Sequence, residues 1–187
     1  MEKHSNVCTV SSSSPTSRND ITIISETPDY QDIIETMNSE AFGPARFTRA
    51  AHLIREEGGH DMALSFIALI NSKLVGTIRM TPIAVGEIDA YLLGPIVVSP
   101  KFRSLGLGSL LMNHTIEQTR KAGVPFILLV GDEPYYRRFG FSKVSAAGFV
   151  MPRPVNPERL LALELVDGTI AGVKGLVCHK SQAKWRG

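Results

Sequence analysis

The sequence predicts a mixed α/β fold, a central twisted mixed sheet flanked by helices, on three observations. Residues 63–99, "ALSFIALINSKLVGTIRMTPIAVGEIDAYLLGPIVVS", hold three apolar, β-branched runs separated by Asn71-Ser72-Lys73 and Val85-Gly86-Glu87. Short polar or glycine-bearing spacers of this kind mark hairpins, so the segment reads as an antiparallel meander. The third run leads into a helical stretch and then into "PFILLVG", and strand, crossing helix and strand make a parallel βαβ unit. The continuous apolar run "PFILLVG" suits a strand buried on both faces.

The elements follow in order. Residues 1–19, with "SSSSPTSR", lack apolar periodicity and cannot offset the entropy of ordering, so they are expected to form a flexible tail before a single domain over 20–187. "ITIISE" (21–26) alternates as a first strand, and "TPDYQDIIETMNSEAF" follows as a helix with Thr27 as N-cap and Pro28 at its first position. "FTRAAHLIREEGG" reads as a second short helix, with Ala50, Leu53 and Ile54 on one face, Gly58 and Gly59 as its stop and Arg55-Glu56-Glu57 as a solvated end. After the meander, a long helix over about 105–122 carries Leu107, Leu110, Leu111, His114, Ile116 and Gln118 at helical spacing and stops at Gly123. Beyond "PFILLVG", "EPYYRRFG" is a short helix, and "FSKVSA", "LLALELV" and "GLVCH" are strands.

Composition narrows the function. The chain has 187 residues, 43% hydrophobic, enough for one real core. A formal charge of +2 with scattered Lys and Arg gives no basic face for nucleic acid. No stretch approaches the roughly 20 apolar residues needed to span a bilayer, and the N-terminus has no apolar signal core. No membrane association is expected. Cys8 and Cys178 lie far apart without a disulfide pattern, which points to a reducing, cytoplasmic setting. His4, His52, His60, His114 and His179 show no metal-ligand spacing, and neighbours Cys178 and His179 would face opposite sides of a strand, so no metal is expected.

The chemistry concentrates where Arg103, Gly106 and Gly108 sit between a β-branched run and a helix. The first NH groups of a helix lack intrahelical partners and its dipole adds positive charge, so phosphate binds there when side chains leave room. Glycines clear that approach, and Arg103 adds a donor fork; a tight turn would use the same residues. The Walker pattern fails because Gly-Leu-Gly-Ser stands where Gly-Lys-Ser/Thr is needed. A dinucleotide fingerprint fails at Leu111, where the third glycine would be.

"IVVSPKFRSLGLGSLLM" resembles the acetyl-CoA-binding motif of the GNAT superfamily of N-acetyltransferases, Arg/Gln-x-x-Gly-x-Gly/Ala, here Arg103, Ser104, Leu105, Gly106, Leu107 and Gly108. Val98 and Pro100 sit at favoured strand-end positions. "YYRRFGF" resembles the family's second signature, a tyrosine four residues before Gly-Phe. The order of elements over 20–146 is also similar, and "LGPIVV", "LLVGDEPYYRRFGF" and "LLALELVDGTIAGVKGLV" resemble a bacterial branch of predicted acetyltransferases. The resemblance implies a GNAT-like fold with acetyl-CoA as cosubstrate. Backbone groups of Ile96, Val97 and Val98 would pair with the pantetheine arm, and NH groups from Arg103 to Ser109 would hold the pyrophosphate. A bulge, expected at Gly94-Pro95, would splay the strand from its parallel neighbour.

Acetyl transfer to an amine needs an oxyanion donor, a proton for the leaving thiolate and a neutral nucleophile. The resemblance assigns the first to the NH of Val97 or Val98 and the second to Tyr136, whose phenol is protonated at neutral pH; the other reading of Tyr136 is a ring that packs the cofactor against Phe139 and Phe141. Tyr135 is expected in the core or toward the acceptor. Many members carry a glutamate near the position of Gly94-Pro95. Its absence leaves no base to name, since Glu87, Asp89 and Asp132 read as solvated or turn carboxylates. Arg137 and Arg138 are candidates for a nucleotide phosphate, and the loop "AAGFVMPRPVNPERL" for the border of the acceptor site. The expected function is acetyl transfer from acetyl-CoA to a primary amine of a small molecule or peptide by direct transfer in a ternary complex. The alternative is a non-catalytic acyl-CoA-binding or sensing module. The oligomeric state is left open between monomer and homodimer.

Overall fold

The computed structural model describes residues 20–44 and 50–183. The expected tail 1–19 and the expected start of the second helix, residues 47–49, lie outside the described residues.

One mixed sheet organises the chain. Strand β1 (Ile21–Ser25) pairs antiparallel with β2 (Phe66–Ile70), and the meander continues through β3 (Lys73–Val85) and β4 (Ile88–Val98). Asn71 and Ser72 take φ of 50° and 61° in the first hairpin loop, and Gly86 takes 60° in the second, the left-handed geometry that two-residue hairpin loops require. Helix α3 (Leu107–Lys121) crosses from β4 to β5 (Phe126–Val130), which pairs parallel with β4. The rest of the path is β8 (Leu160–Glu164) and β6 (Ser142–Lys143), so that the order reads β1-β2-β3-β4-β5-β8-β6. Strand β9 (Gly175–His179) pairs with the far end of β3 and, in parallel, with β7 (Phe149–Val150).

Both faces of this sheet are covered. Leu107, Leu111, Met112 and Ile116 of α3 pack on Ile78, Met80, Ile127 and Leu129, while Ile54 of α2 (Ala50–Glu56) joins Leu92, Phe126, Leu128 and Val177 on the other side. Successive residues of β5 therefore alternate between two cores, which is why its sequence reads as an unbroken apolar run. Helix α1 (Gln31–Phe42) is preceded by a 3-10 turn, Pro28–Tyr30; Thr27 stands at its start, but its hydroxyl meets Asp29 Oδ2 at 3.5 Å and caps no backbone NH.

Several expectations need correction. Helix α3 begins at Leu107, because Pro100–Leu105 forms a separate 3-10 turn joined to it through Gly106 at φ 72°. Leu110 is exposed, and the buried stripe runs instead through Leu107, Leu111, Thr115 and Thr119. Val124 N–H donates to Thr119 and Gly123 N–H to Arg120, a Schellman end with Gly123 at φ 73°. "FSKVSA" keeps only two strand residues because the chain turns at Ser145, whose carbonyl receives the NH of Gly148 and Phe149. Helix α2 ends at Glu56, next to the expected stop at Gly58 and Gly59, but neither glycine takes the left-handed φ of a glycine cap. Gly58 makes room for the His179 ring instead, whose Cε1 would lie 2.1 Å from a Cβ there. Nor is Glu57 merely solvated, since its Oε2 accepts the His179 NH at 3.0 Å.

Candidate active site

Strand β4 changes partner halfway along. Against β3, Ile78 faces Ile96 but Met80 faces Leu93, so Gly94 and Pro95 together oppose the single residue Arg79. This two-against-one bulge, with Gly94 at φ 114°, stands where the sequence placed it. On the other side β4 pairs with β5 only at Tyr91–Ile127 and Leu92–Leu128. Beyond that the two parallel strands diverge around a cavity of about 670 Å³, lined by Leu93 to Ile96 on one side and Leu129 to Asp132 on the other.

The alternation of an antiparallel ladder decides which backbone groups face this opening. Ser99 N–H donates to Val75 at 2.8 Å, which makes that a hydrogen-bonded pair and, two residues back, gives the NH and carbonyl of Val97 to Thr77. Ile96 and Val98 consequently turn theirs toward the side that β5 has left.

Next to that edge lies the glycine turn, and its two glycines do different work. Gly106 supplies the left-handed joint. Gly108 supplies space, since a Cβ there would meet Tyr135 Oη at 3.0 Å and Val98 Cγ2 at 3.9 Å. Among the described residues no side chain caps the N-terminus of α3. Arg103 and Ser104 are exposed on the 3-10 turn, Leu105 packs against the core, Leu107 is buried, and Ser109 lies in the first turn of α3. A cradle thus exists that a larger residue at Gly108 would fill; of the expected NH donors, Gly106 N–H already donates to Arg103 and Ser109 N–H to Gly106, which leaves those of Leu107 and Gly108 at the mouth of the helix. These residues fit a pyrophosphate. Tyr135 is neither in the core nor at the acceptor side, as expected, but beside Gly108, with the Arg138 guanidinium 4.2 Å above its ring. Arg137 is exposed and 3.6 Å from Glu133.

Tyr136 lies in α4 (Glu133–Tyr136) and lines the cavity. Burial, reinforced by Tyr135 and by the charge of Asp132, pushes its phenol up to about 12. Among the described residues nothing hydrogen-bonds its hydroxyl; its contacts are edge-on rings, Tyr135 at 4.9 Å and Phe141 at 6.0 Å. The loop 146–160 borders the cavity through Pro154, Val155, Asn156 and Arg159, and Arg159 meets Asp132 at 3.1 Å. Glu87 is exposed at the far hairpin, and Asp89 pairs with Lys180 at 2.6 Å.

The opposite wall holds a charged network that sequence reasoning missed. Arg79, facing the bulge, donates through Nε to both oxygens of Glu26 at 3.1 and 3.0 Å and through Nη2 to Oε1 at 2.6 Å. It also reaches Glu35 at 2.7 Å and Gln31 at 2.8 Å. His60 Nε2 lies 3.0 Å from Glu26 Oε1. Burial opposes ionisation of Glu26, but hydrogen bonds and charges from His60 and Arg79 outweigh it and hold the carboxyl below its usual range. Glu35, His60 and Arg79 all line the cavity. The available signal was Arg79 itself, a cation in mid-strand between the apolar Ile78 and Met80, because a buried guanidinium needs carboxylate partners. No His, Cys, Asp and Glu grouping suited to a metal is found among the described residues, and no described helix is long and apolar enough to cross a membrane.

Known proteins are similar to this chain in sequence and fold. The sequence model of the Acetyltransferase (GNAT) family matches residues 28–141. An uncharacterized N-acetyltransferase of Escherichia coli, YjhQ, is 32% identical over 164 residues, covering 83% of this chain and 88% of its own. The crystal structure of E. coli YhbS, a GNAT family N-acetyltransferase in complex with CoA, superposes with a TM-score of 0.74 at 22% identity over 93% of this chain and 96% of that one. A Brucella melitensis GNAT family acetyltransferase in complex with acetyl-CoA gives 0.61 at 25% identity over 85% and 95%. With its splayed parallel strands and glycine cradle matched by a family model over most of the described chain, the protein belongs to the GNAT family of acetyltransferases.

Proposed function

We propose that this acetyl-CoA-dependent N-acetyltransferase passes the acetyl group directly to a primary amine, of a small molecule or a peptide, seated in the cleft between β4 and β5. The observation that carries the reading is the continuity of two binding surfaces. The edge of β4 at Ile96 and Val98 offers backbone groups to the pantetheine amides, and it runs straight into the uncapped N-terminus of α3 for the pyrophosphate. Arg103 and Arg138 add positive charge at that end. The ligands named for the E. coli and Brucella relatives support the same assignment.

The residues divide the reaction among them. Val98, whose NH turns into the cleft, is the oxyanion donor, because Val97 spends its NH on β3. Tyr136 gives its proton to the departing thiolate. Its raised pKa does not disqualify it, since the burial that disfavours phenolate also disfavours thiolate in the same cleft. The bulge sets the reacting carbonyl opposite the wall formed by Arg79, Glu35 and His60, where the amine enters.

Thermal unfolding with acetyl-CoA, CoA, NAD and ATP tests the cradle. Ligand at 100 times its Kd adds about 2.7 kcal/mol, a Tm rise of about 5 to 10 °C for a chain of this size. The rise is expected with both CoA species only and should be lost in Gly108→Trp, whose indole would occupy the space beside Val98 and Tyr135. Thiol release from acetyl-CoA that increases with added primary amines then separates an enzyme from an acyl-CoA sensor. No Tm response to either CoA species would overturn the reading.

A further inference from the structure

We infer that His60 is the general base of this site, held by Glu26 so that its imidazole accepts the proton the amine loses. The inference deepens the acetyl-transfer reading and rests on it. The β4 bulge carries no carboxylate, yet the cavity it opens is faced by a histidine whose one ring nitrogen is already committed. Nε2 lies 3.0 Å from Glu26 Oε1, and the Glu26 side chain is wholly buried and gripped by three hydrogen bonds from Arg79. An ionised carboxylate can only accept, so Nε2 carries a hydrogen, and in the neutral ring the free lone pair falls on Nδ1. Among the described residues Nδ1 makes no hydrogen bond, and the residue lines the cavity shared with Gly94, Pro95, Ile96 and Tyr136.

The backbone around His60 is fixed on two sides, which a base needs in order to meet its proton. Asp61 N–H donates to Met80 at 2.8 Å, and Asp61 Oδ2 accepts from Tyr91 Oη at 2.7 Å. The other histidine of the cavity, His52, has a different kind of partner. Its carboxylate, Glu56, is 58% exposed against 0% for Glu26, so it is free to move. The charged and titratable groups facing His60 are Glu26, Glu35 and Arg79 beside it, with His52, Arg55, Asp132, Tyr136 and Arg159 around the rest of the cavity.

The protons balance. The amine nitrogen forms the C–N bond to the thioester carbonyl and its surplus proton goes to His60 Nδ1. The C–S bond breaks and the sulfur takes the Tyr136 proton. His60 releases its proton to solvent and Tyr136 regains one, so amine and acetyl-CoA become amide and CoA with no other reactant.

The test compares wild type with His60→Gln, which keeps a donor for Glu26 but cannot take a proton, on acetyl transfer to primary amines of graded basicity and on acetyl-CoA hydrolysis, where water is the acceptor. We expect kcat/KM to fall about 10²- to 10⁴-fold, most for the most basic amines, with the acetyl-CoA-induced Tm rise retained. Unchanged rates in His60→Gln, a loss equal for all acceptors, or an equal fall in His52→Gln would each overturn the assignment. Wild-type protein that binds acetyl-CoA but releases thiol by neither route would remove the acetyl-transfer reading itself, and this inference with it.

Discussion

Tyr136 owes its position to an atom that is missing. A Cβ on Gly131 would lie 2.2 Å from Tyr136 Cε2 and 2.8 Å from Cδ2, so the end of β5 must be bare for the ring to fold over it. Gly131 does not hold a left-handed conformation, so alanine is acceptable to the backbone, and the ring must move while Leu129 Cδ1, at 3.0 Å, gives slightly. Tyr136→Phe should lower kcat about 10²- to 10⁴-fold while leaving the Tm response to CoA in place. Gly131→Ala should give part of that loss with the phenol still present. Because burial pushes the phenol up to about 12, it stays protonated across the working range and contributes no alkaline limb below that value. Ultraviolet titration of wild type minus Tyr136→Phe should show the tyrosinate transition near 12. A transition near 10, the value of an exposed phenol, would mean that the ring does not occupy the cavity wall.

Elements were legible in the sequence where their own residues determine them. The meander, the apolar run of β5 and the Gly123 stop of α3 each follow from a local pattern. β7 and most of "FSKVSA" did not, because two-residue strands exist only by virtue of the neighbours they pair with, here β9 and β8. The same applies to the end of α2, where a contact across the fold replaces a glycine cap. His179 Nε2 bonds the Gly59 carbonyl at 3.1 Å, Nδ1 meets Ser181 Oγ at 2.8 Å, and the ring fills the space over Gly58. This clamp fastens β9 to the loop that carries His60. Gly58→Ala should therefore cost about 1–3 kcal/mol as an overpacked contact. Gly59→Ala, where a Cβ would meet nothing within 4 Å, should be near neutral. Equal denaturant midpoints for the two variants would show that the ring yields and that the clamp is not rigid.

At the scale of the molecule, the two halves of the cleft differed in legibility because they differ in sequence range. The CoA side is written in two short stretches, 96–109 and 135–141, and its motif could be read directly. The amine side is assembled from Glu26, Glu35, His60 and Arg79, with Arg79 and Glu26 separated by 53 residues, and only the fold brings them together. Those groups also bind β1, α1 and β3 to one another, so the network is part of the stability of the whole. Removing one member of a buried ion pair leaves the other uncompensated, and Glu26→Gln should cost about 3–5 kcal/mol at pH 7. The sign of its pH dependence follows from linkage. The folded pKa of Glu26 lies below its reference of 4.5, so the ionised group's contribution is fully present above that value. It is lost as pH falls through the folded pKa. Other carboxylates also drive acid unfolding, so the informative quantity is the difference between wild type and Glu26→Gln in unfolding free energy. That difference should hold level from pH 7 to about 5 and shrink below 4.5. A difference that stays constant to pH 3 would place the worth of Glu26 in packing and hydrogen bonding, and would remove the charge that is argued to hold His60 in its reactive tautomer.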